Sequence, residues 1–216
     1  DELLPDALPT DPLALMSDWL AAATARSRRP NPNAMILATA NQAGQPSARV
    51  VLCKDLVTEP GYLLFYTNYE SHKGQDLAAN ARAAAVFHWD TMHRQLRIEG
   101  RVVRSPAAES DAYFASRPWG SRLGAWASEQ SKPIESRATL LLTLARVTAR
   151  YGAQAVIGRS MLRPAHWGGF RLWFESVEFW VEGEYRIHDR VRYSRSLAAH
   201  GDGFSAGEWR RTRLQP

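Results

Sequence analysis

Cysteine, lysine and long apolar runs are all scarce in this chain, and each scarcity excludes something. A single cysteine, Cys53, among 216 residues rules out an intrachain disulfide and any cysteine-built metal site. It fits a reducing, cytoplasmic setting, and no metal centre is expected. Within Val50-Val51-Leu52-Cys53 the thiol reads as a small apolar strand residue. No apolar stretch is long enough to span a bilayer, and the acidic, proline-rich first residues carry no secretory pattern. The chain starts at Asp1 rather than Met, so the expectation is that some native N-terminal residues are missing from it. The glycine-rich dinucleotide and phosphate-loop motifs are absent, as is any repeat, which speaks against an alternating strand–helix nucleotide fold. The 27 basic residues include only three lysines, Lys54, Lys73 and Lys132. Where arginine fills almost every basic position, a retained lysine marks a need for a compact ammonium, which singles out Lys54 and Lys73.

What is present describes a soluble globular chain. Hydrophobic residues make up 45% and charged residues 23%, enough for a sizeable core. The net charge of +5 and pI near 9.6 admit nucleic acid as a partner. The charge is spread along the chain, however, and the aromatics sit within apolar runs rather than between exposed basic residues, so small phosphorylated ligands explain it as well.

Residues 1–10 read as an irregular arm, and residues 11–216 as one domain. Thr10-Asp11-Pro12 is a helix start, with Leu13, Met16, Leu20 and Ala23 on one face and Trp19 beside them. Ser27 to Asn33 breaks that helix. Strands are expected at Ala34–Ala40, Ser47–Asp55, Tyr62–Thr67, Ala83–Trp89 and Gln95–Val103, with turns at Asn41–Gly44 and Glu59–Gly61. Helices are expected at Ser71–Ala79, Pro106–Ser116 (capped by Ser105), Ser121–Ala127 and Glu135–Tyr151. Residues 152–165 read as a loop. Strands return at Gly169–Phe174, Ser176–Val181, Tyr185–Tyr193 and Trp209–Leu214. Six to eight strands with intervening helices imply an α+β fold on an antiparallel sheet or barrel, with strands 169–216 completing the site.

Two patterns carry chemistry. In Arg186-Ile187-His188-Asp189-Arg190 an extended strand would turn Arg186, His188 and Arg190 to one face. Three such groups repel unless an anionic or electron-rich partner lies against them; the alternative is a solvated edge strand. Tyr113, Arg117 and Ser121 recur every four residues. Pro118 interrupts a continuous helix there, so a helix end and the following turn would bring phenol, guanidinium and hydroxyl together, either on a phosphate or as a structural cap.

Nine segments in order resemble pyridoxine (pyridoxamine) 5′-phosphate oxidase. They are Arg49-Val50-Val51-Leu52-Cys53-Lys54, Phe65 to Asn68 with Ser71 to Gly74, Arg94 to Gly100, Tyr113 to Pro118, Ser121 to Ser131, Trp167 to Phe170, Glu178 to Trp180, Arg186 to Arg190, and Arg213 to Pro216. The resemblance implies an FMN-binding split β-barrel with FMN at a homodimer interface. It assigns FMN contacts to Arg49, Val50, Val51, Leu52, Cys53, Lys54, Tyr66, Thr67, Lys73, Gln95, Gln130, Ser131, Trp180 and Arg190. It assigns substrate contacts to Lys54, Tyr113, Arg117, Ser121, Arg186 and His188, the last two also holding the substrate against the flavin as catalytic residues. The implied reaction passes a hydride from C4′ of pyridoxine or pyridoxamine 5′-phosphate to FMN, and O₂ reoxidises the flavin to give H₂O₂.

Arg49 and Lys73 suit a phosphate dianion, Gln95 and Gln130 suit the flavin's mixed edge, and Trp180 suits a wall against its ring. His72 departs from the family pattern, where arginine precedes the lysine, and implies weaker or pH-dependent FMN binding. The segment 152–163 is longer than in relatives, the basic N-terminal arm is not recognisable in residues 1–10, and Glu129 adds a negative charge beside Gln130. Three other readings stand beside the first: a sister oxidase of the phenazine-biosynthesis type, a non-catalytic binder of flavin or pyridoxal phosphate, and a basic nucleic-acid module.

Overall fold

The computed structural model describes residues 3–26, 30–156 and 161–216. Parts of the expected arm, of the break at 27–33 and of the loop at 152–165 therefore lie outside the described residues. Helix α1 (Leu13–Arg26) starts where the Asp-Pro signal predicts, with Asp11 Oδ1 accepting from the Leu13 amide at 2.7 Å. Its Leu13, Met16, Trp19 and Ala23 are buried, and Trp19 meets Phe179 edge-on at 4.9 Å. The preceding residues are irregular but docked. Leu4 and Leu8 are buried, the Leu4 amide donates to Asp189 Oδ2 at 3.0 Å, and Tyr193 Oη donates to the Pro9 carbonyl at 2.9 Å.

β1 (Ala34–Ala40) and β2 (Pro46–Leu52) form a hairpin. Its turn is set by Asn41, whose side chain accepts from the Ala43 and Gln45 amides, and by Gly44 at φ +81°. β3 (Asp55–Val57) pairs with β4 (Tyr62–Asn68), α2 (His72–Ala79) follows, and β5 (Arg82–Trp89) pairs with β6 (Arg94–Arg104). Three helices come next: α3 (Ala107–Ser116), α4 (Trp119–Ala127) and α5 (Arg137–Val156). β7 (Trp167–Val181), β8 (Asp189–Ser194), the hairpin β9 (Leu197–His200) and β10 (Gly203–Ala206), and β11 (Arg210–Leu214) complete the chain.

The main sheet is antiparallel, in the order β11-β8-β7-β6-β5-β1-β2, with β4 also on β7 and β3 on β4. β7 organises it. One edge lies along β6; the other takes β4 against Trp167–Trp173 and β8 against Ser176–Val181. The changeover falls at Glu175, where the β6–β7 register shifts between Glu99 and Gly100. Such a bulge bends the strand and increases its twist. β2 and β3 then curl the sheet on itself, because the chain leaves β1 at Leu52, crosses at Cys53 and Lys54, and joins β4. The Cys53 amide still bonds to the Asn33 carbonyl (3.0 Å), while the Lys54 amide bonds to Leu64 (2.8 Å). Inside lie Met35, Leu37, Phe65, Phe87, Leu96, Ile98, Leu172, Phe174 and Phe179, none more than 1% exposed. Among the described residues no helix is long and apolar enough to cross a membrane.

The expected elements differ from the observed ones in definable ways. The strand expected at Ser47–Asp55 divides at the crossover, and the two expected at 169–181 are one bulged strand. Helix α5 extends to Val156, into the expected loop. Ser105 does not cap α3; its hydroxyl bonds to Ser110 Oγ at 2.8 Å, and no side chain caps that helix. The β9–β10 hairpin was not anticipated, since its strands are only four residues each and rich in alanine and glycine rather than β-branched residues.

Gly100 marks the bulge's tightest point, where a Cβ atom would lie 1.8 Å from the Trp173 carbonyl oxygen. Gly100→Ala is expected to destabilise the fold by at least about 2 kcal/mol in urea unfolding, as the two backbones must separate.

Candidate active site

One cavity of about 1040 Å³ opens between the β2 edge, the end of β4, the start of α2 and the α3–α4 region. The sequence-predicted Arg49, Val50, Val51, Leu52, Lys54, Tyr66, Thr67, Lys73, Tyr113, Arg117, Ser121, Gln130 and Ser131 all line it. Cys53 does not; it faces inward at the crossover, where burial pushes its thiol up to about 12.

At one end the cavity is cationic. Ser71 caps α2, so the free amides of that helix start beside the Lys73 side chain. Lys73 is 8% exposed, and its Nζ donates to Thr67 Oγ1 (3.0 Å), Ser71 Oγ (3.3 Å) and Gln130 Oε1 (3.0 Å). Every partner is neutral. Burial, and then the neighbouring Arg49, push the ammonium down to about 8. Arg49 donates to Thr39 Oγ1 (2.6 Å), Ser47 Oγ (2.7 Å) and the Leu37 carbonyl (3.3 Å). It stands 3.8 Å from Asp76, a carboxylate 3% exposed that also accepts from Thr39 Oγ1 at 2.6 Å. His72 Nε2 lies 3.6 Å from the other Asp76 oxygen. The buried Lys73 thus has no anionic partner and Arg49 has one only at 3.8 Å, an arrangement suited to a bound dianion.

The other end is aromatic, with one more guanidinium. α3 stops at Ser116, Arg117 is extended, and Pro118 opens α4, which puts Ser121 in the first turn of α4. This is the helix end and turn that Pro118 predicts. Tyr113 stacks on Tyr66 with ring centroids 3.9 Å apart, and Trp167 lies 5.5 Å beyond. Lys54 Nζ sits 6.0 Å from the centre of the Tyr113 ring. The Arg117 guanidinium lies 4.5 Å from the Trp167 ring centre, and its Nη1 is buried without a hydrogen-bond partner. Burial lowers the Arg117 pKa.

The remaining predicted residues gather elsewhere. Gln95, Trp180 and Arg190 are register neighbours across β6, β7 and β8, and the His188 ring is 4.5 Å from Trp180. None of these, nor Arg186, lines the cavity. The expected strand from Tyr185 is corrected: Tyr185 (φ 54°) and Arg186 (φ 66°) have left-handed backbone, and β8 begins only at Asp189. Arg186, His188 and Arg190 therefore do not alternate along one strand face. A tight loop replaces the strand, closed by Gly183, where a Cβ would lie 1.9 Å from the Ile187 carbonyl oxygen. His188 Nδ1 accepts from the Gly183 amide at 3.2 Å, which places a neutral ring's proton on Nε2.

Sequence reasoning missed Asp76, Thr39 and Trp167. Asp76 did leave a signal. Lys73, Asp76 and Leu77 fall at core-facing spacing on α2, which puts a lysine and an aspartate on its buried side. Thr39 and Trp167 look like ordinary strand residues without the tertiary contacts.

Comparison with known proteins agrees with this geometry. Residues 21–151 match the family model described as pyridoxamine 5′-phosphate oxidase, and residues 167–216 match the pyridoxine 5′-phosphate oxidase C-terminal dimerisation region. A pyridoxine/pyridoxamine 5′-phosphate oxidase of Burkholderia cenocepacia is 50% identical over 98% of this chain and 91% of its own length. One from Cereibacter sphaeroides is 45% identical, over 95% of each chain. Among solved structures, PhzG of Burkholderia lata, in complex with tetrahydrophenazine-1-carboxylic acid, superposes with a TM-score of 0.84 at 31% identity, covering 100% of this chain and 98% of that one. An FMN-binding protein of Nostoc punctiforme shares the fold at a TM-score of 0.68 and 15% identity, covering 98% and 99%. With its curled antiparallel half-barrel, its cationic cavity and these relatives, the chain belongs to the pyridoxamine 5′-phosphate oxidase family of FMN-binding split-barrel proteins.

Proposed function

We propose that this protein is an FMN-dependent oxidase converting pyridoxine or pyridoxamine 5′-phosphate to pyridoxal 5′-phosphate. The observation that carries this reading is Arg117 Nη1, a buried cationic donor without a partner, in the same cavity as the separate Arg49–Lys73 pocket. Two anion sites side by side fit a flavin phosphate and a phosphorylated substrate together. Arg49, Lys73, Thr67, Gln130 and Ser131 would hold the first, and Lys54, Tyr113, Arg117 and Ser121 the second. FMN, when bound, supplies the hydride acceptor and passes electrons to O₂, giving H₂O₂. The chain supplies alignment and charge.

Arg186 and His188 lie outside the cavity of their own chain, in the region matched to dimerisation. We therefore propose a homodimer in which Gln95, Trp180, Arg186, His188 and Arg190 complete the partner's site. His188, with its proton on Nε2, would then be a hydrogen-bond donor toward the substrate's oxygen or amine.

A second reading is favoured by the PhzG likeness: a sister oxidase acting on a reduced phenazine acid. The two are separated by anaerobic addition of each compound to the flavin-loaded protein. The vitamin phosphates are expected to bleach the flavin absorbance; bleaching by a reduced phenazine acid alone would select the second reading. Arg117→Ala is expected to raise KM for the phosphorylated substrate by roughly 10- to 100-fold, through loss of a charged hydrogen bond, with a smaller change in kcat.

Lys73 predicts a pH dependence. Its pKa in the folded, unliganded chain is about 8, against 10.5 for an unperturbed lysine. Between these values the unfolded chain binds more protons, so stability rises with pH as the buried charge is relieved. FMN affinity moves the other way, falling as pH rises through about 8 and the ammonium is lost. Fluorescence titrations at several pH values should show this slope, and Lys73→Met should flatten it while weakening binding throughout.

A further inference from the structure

One buried carboxylate plays no part in the function proposed above. Glu178 lies in β7, two residues from Trp180 and so on the same sheet face, and is 6% exposed. A carboxylate that deep is unfavourable unless paired. Here both oxygens are engaged. Oε1 accepts from Arg190 Nε (2.9 Å) and Nη2 (2.7 Å), and Oε2 accepts from Arg97 Nη1 at 3.3 Å. Arg190 is held from a second direction, since its Nη1 donates to the Gln215 carbonyl at 3.0 Å. A guanidinium has five N–H groups. Three of those on Arg190 are used within the chain, which leaves one on each Nη nitrogen. The plane of the guanidinium is therefore set by two acceptors on the chain itself. Arg97, at 43% exposure, is the looser partner and also reaches Glu99 at 3.5 Å.

We propose that Glu178 is a positioning residue that holds Arg190 ready for the flavin. It touches neither flavin nor substrate and acts through Arg190 alone. This inference rests on the flavin-binding reading given above. Its physical basis is that an arginine side chain loses rotamer freedom on binding, and a carboxylate that has already ordered it removes that cost. Glu178→Gln keeps the shape of the side chain but removes its charge, so the two charge-assisted bonds from Arg190 fall to roughly half their strength even where the amide oxygen still faces it.

The test is a double-mutant cycle on FMN affinity, followed by flavin fluorescence, with Glu178→Gln, Arg190→Ala and the double variant. Glu178→Gln is expected to weaken FMN binding by about 10-fold, or about 1.4 kcal/mol, in the native background. It should have no further effect once Arg190 is alanine. Equal losses in both backgrounds would overturn the proposal and make Glu178 a general structural residue. Nitrogen-15 NMR of the arginine Nε–H groups in flavin-free protein gives a reading that needs no flavin. The Arg190 signal should exchange slowly in the native chain and rapidly in Glu178→Gln; slow exchange in both would likewise overturn the proposal. If the native protein takes up no FMN, the proposed function fails, and the NMR comparison still decides whether Glu178 holds Arg190. Should Glu178→Gln not fold, Glu178→Asp withdraws the carboxylate by one methylene and is read in the same cycle, with a loss of about 3-fold expected.

Discussion

Everything in this structure depends on one strand having two neighbours along a single edge. β7 is 15 residues long, and its outer edge serves β4 first and β8 second. The bulge at Glu175 makes this possible by turning the strand between the two pairings. The bend carries the Glu175 carboxylate, which Arg82 and Arg101 both engage at 2.9 Å. β4, held along the first part of that edge, pairs with β3 on its other side and carries Tyr66 and Thr67 into the cavity lining. The close approach of Gly100 to Trp173 is a direct result of the same bend.

The cavity inherits its charge from that geometry. The crossover at Cys53 and Lys54 places Arg49 on one side and Lys54 on the other, while the end of β4 places Thr67 under the α2 helix start. Buried cations normally require paired anions. Asp76 meets that need for Arg49 only in part, at 3.8 Å, and Lys73 has neutral partners alone. Arg117 rests on an indole face instead of a carboxylate. The unliganded site is thus poor in negative charge at both ends, and that deficit is what suits it to anionic ligands.

Much of this was legible in the sequence. The caps and turns at Asp11, Asn41 and Ser71 placed α1, the first hairpin and α2, and Pro118 marked the break before α4, which begins two residues earlier than the expected Ser121, because those signals are local. The cavity-lining residues from Arg49 to Ser131 were legible through the family resemblance, and the cavity does gather them. The 185–190 segment was not. Alternation along a strand assumes extended backbone, whereas Tyr185 and Arg186 adopt left-handed angles that no side-chain pattern announces. The bulge was also invisible, since Glu175 between two apolar runs reads as a break between strands. Asp76 and Glu178 illustrate a third kind of loss. Each is an acidic residue whose importance lies in which arginine the fold brings to it.

The sulfur atoms of the chain occupy consistent places. Cys53 is 6% exposed, and Met16, Met35, Met92 and Met161 are each between 0% and 8% exposed. The chain has no other sulfur. The thiol is further protected by chemistry, because a pKa near 12 leaves almost none of the reactive thiolate at neutral pH. Peroxide attacks thiolates and accessible thioethers. A protein arranged in this way offers an oxidant in its surroundings almost no soft nucleophile to damage.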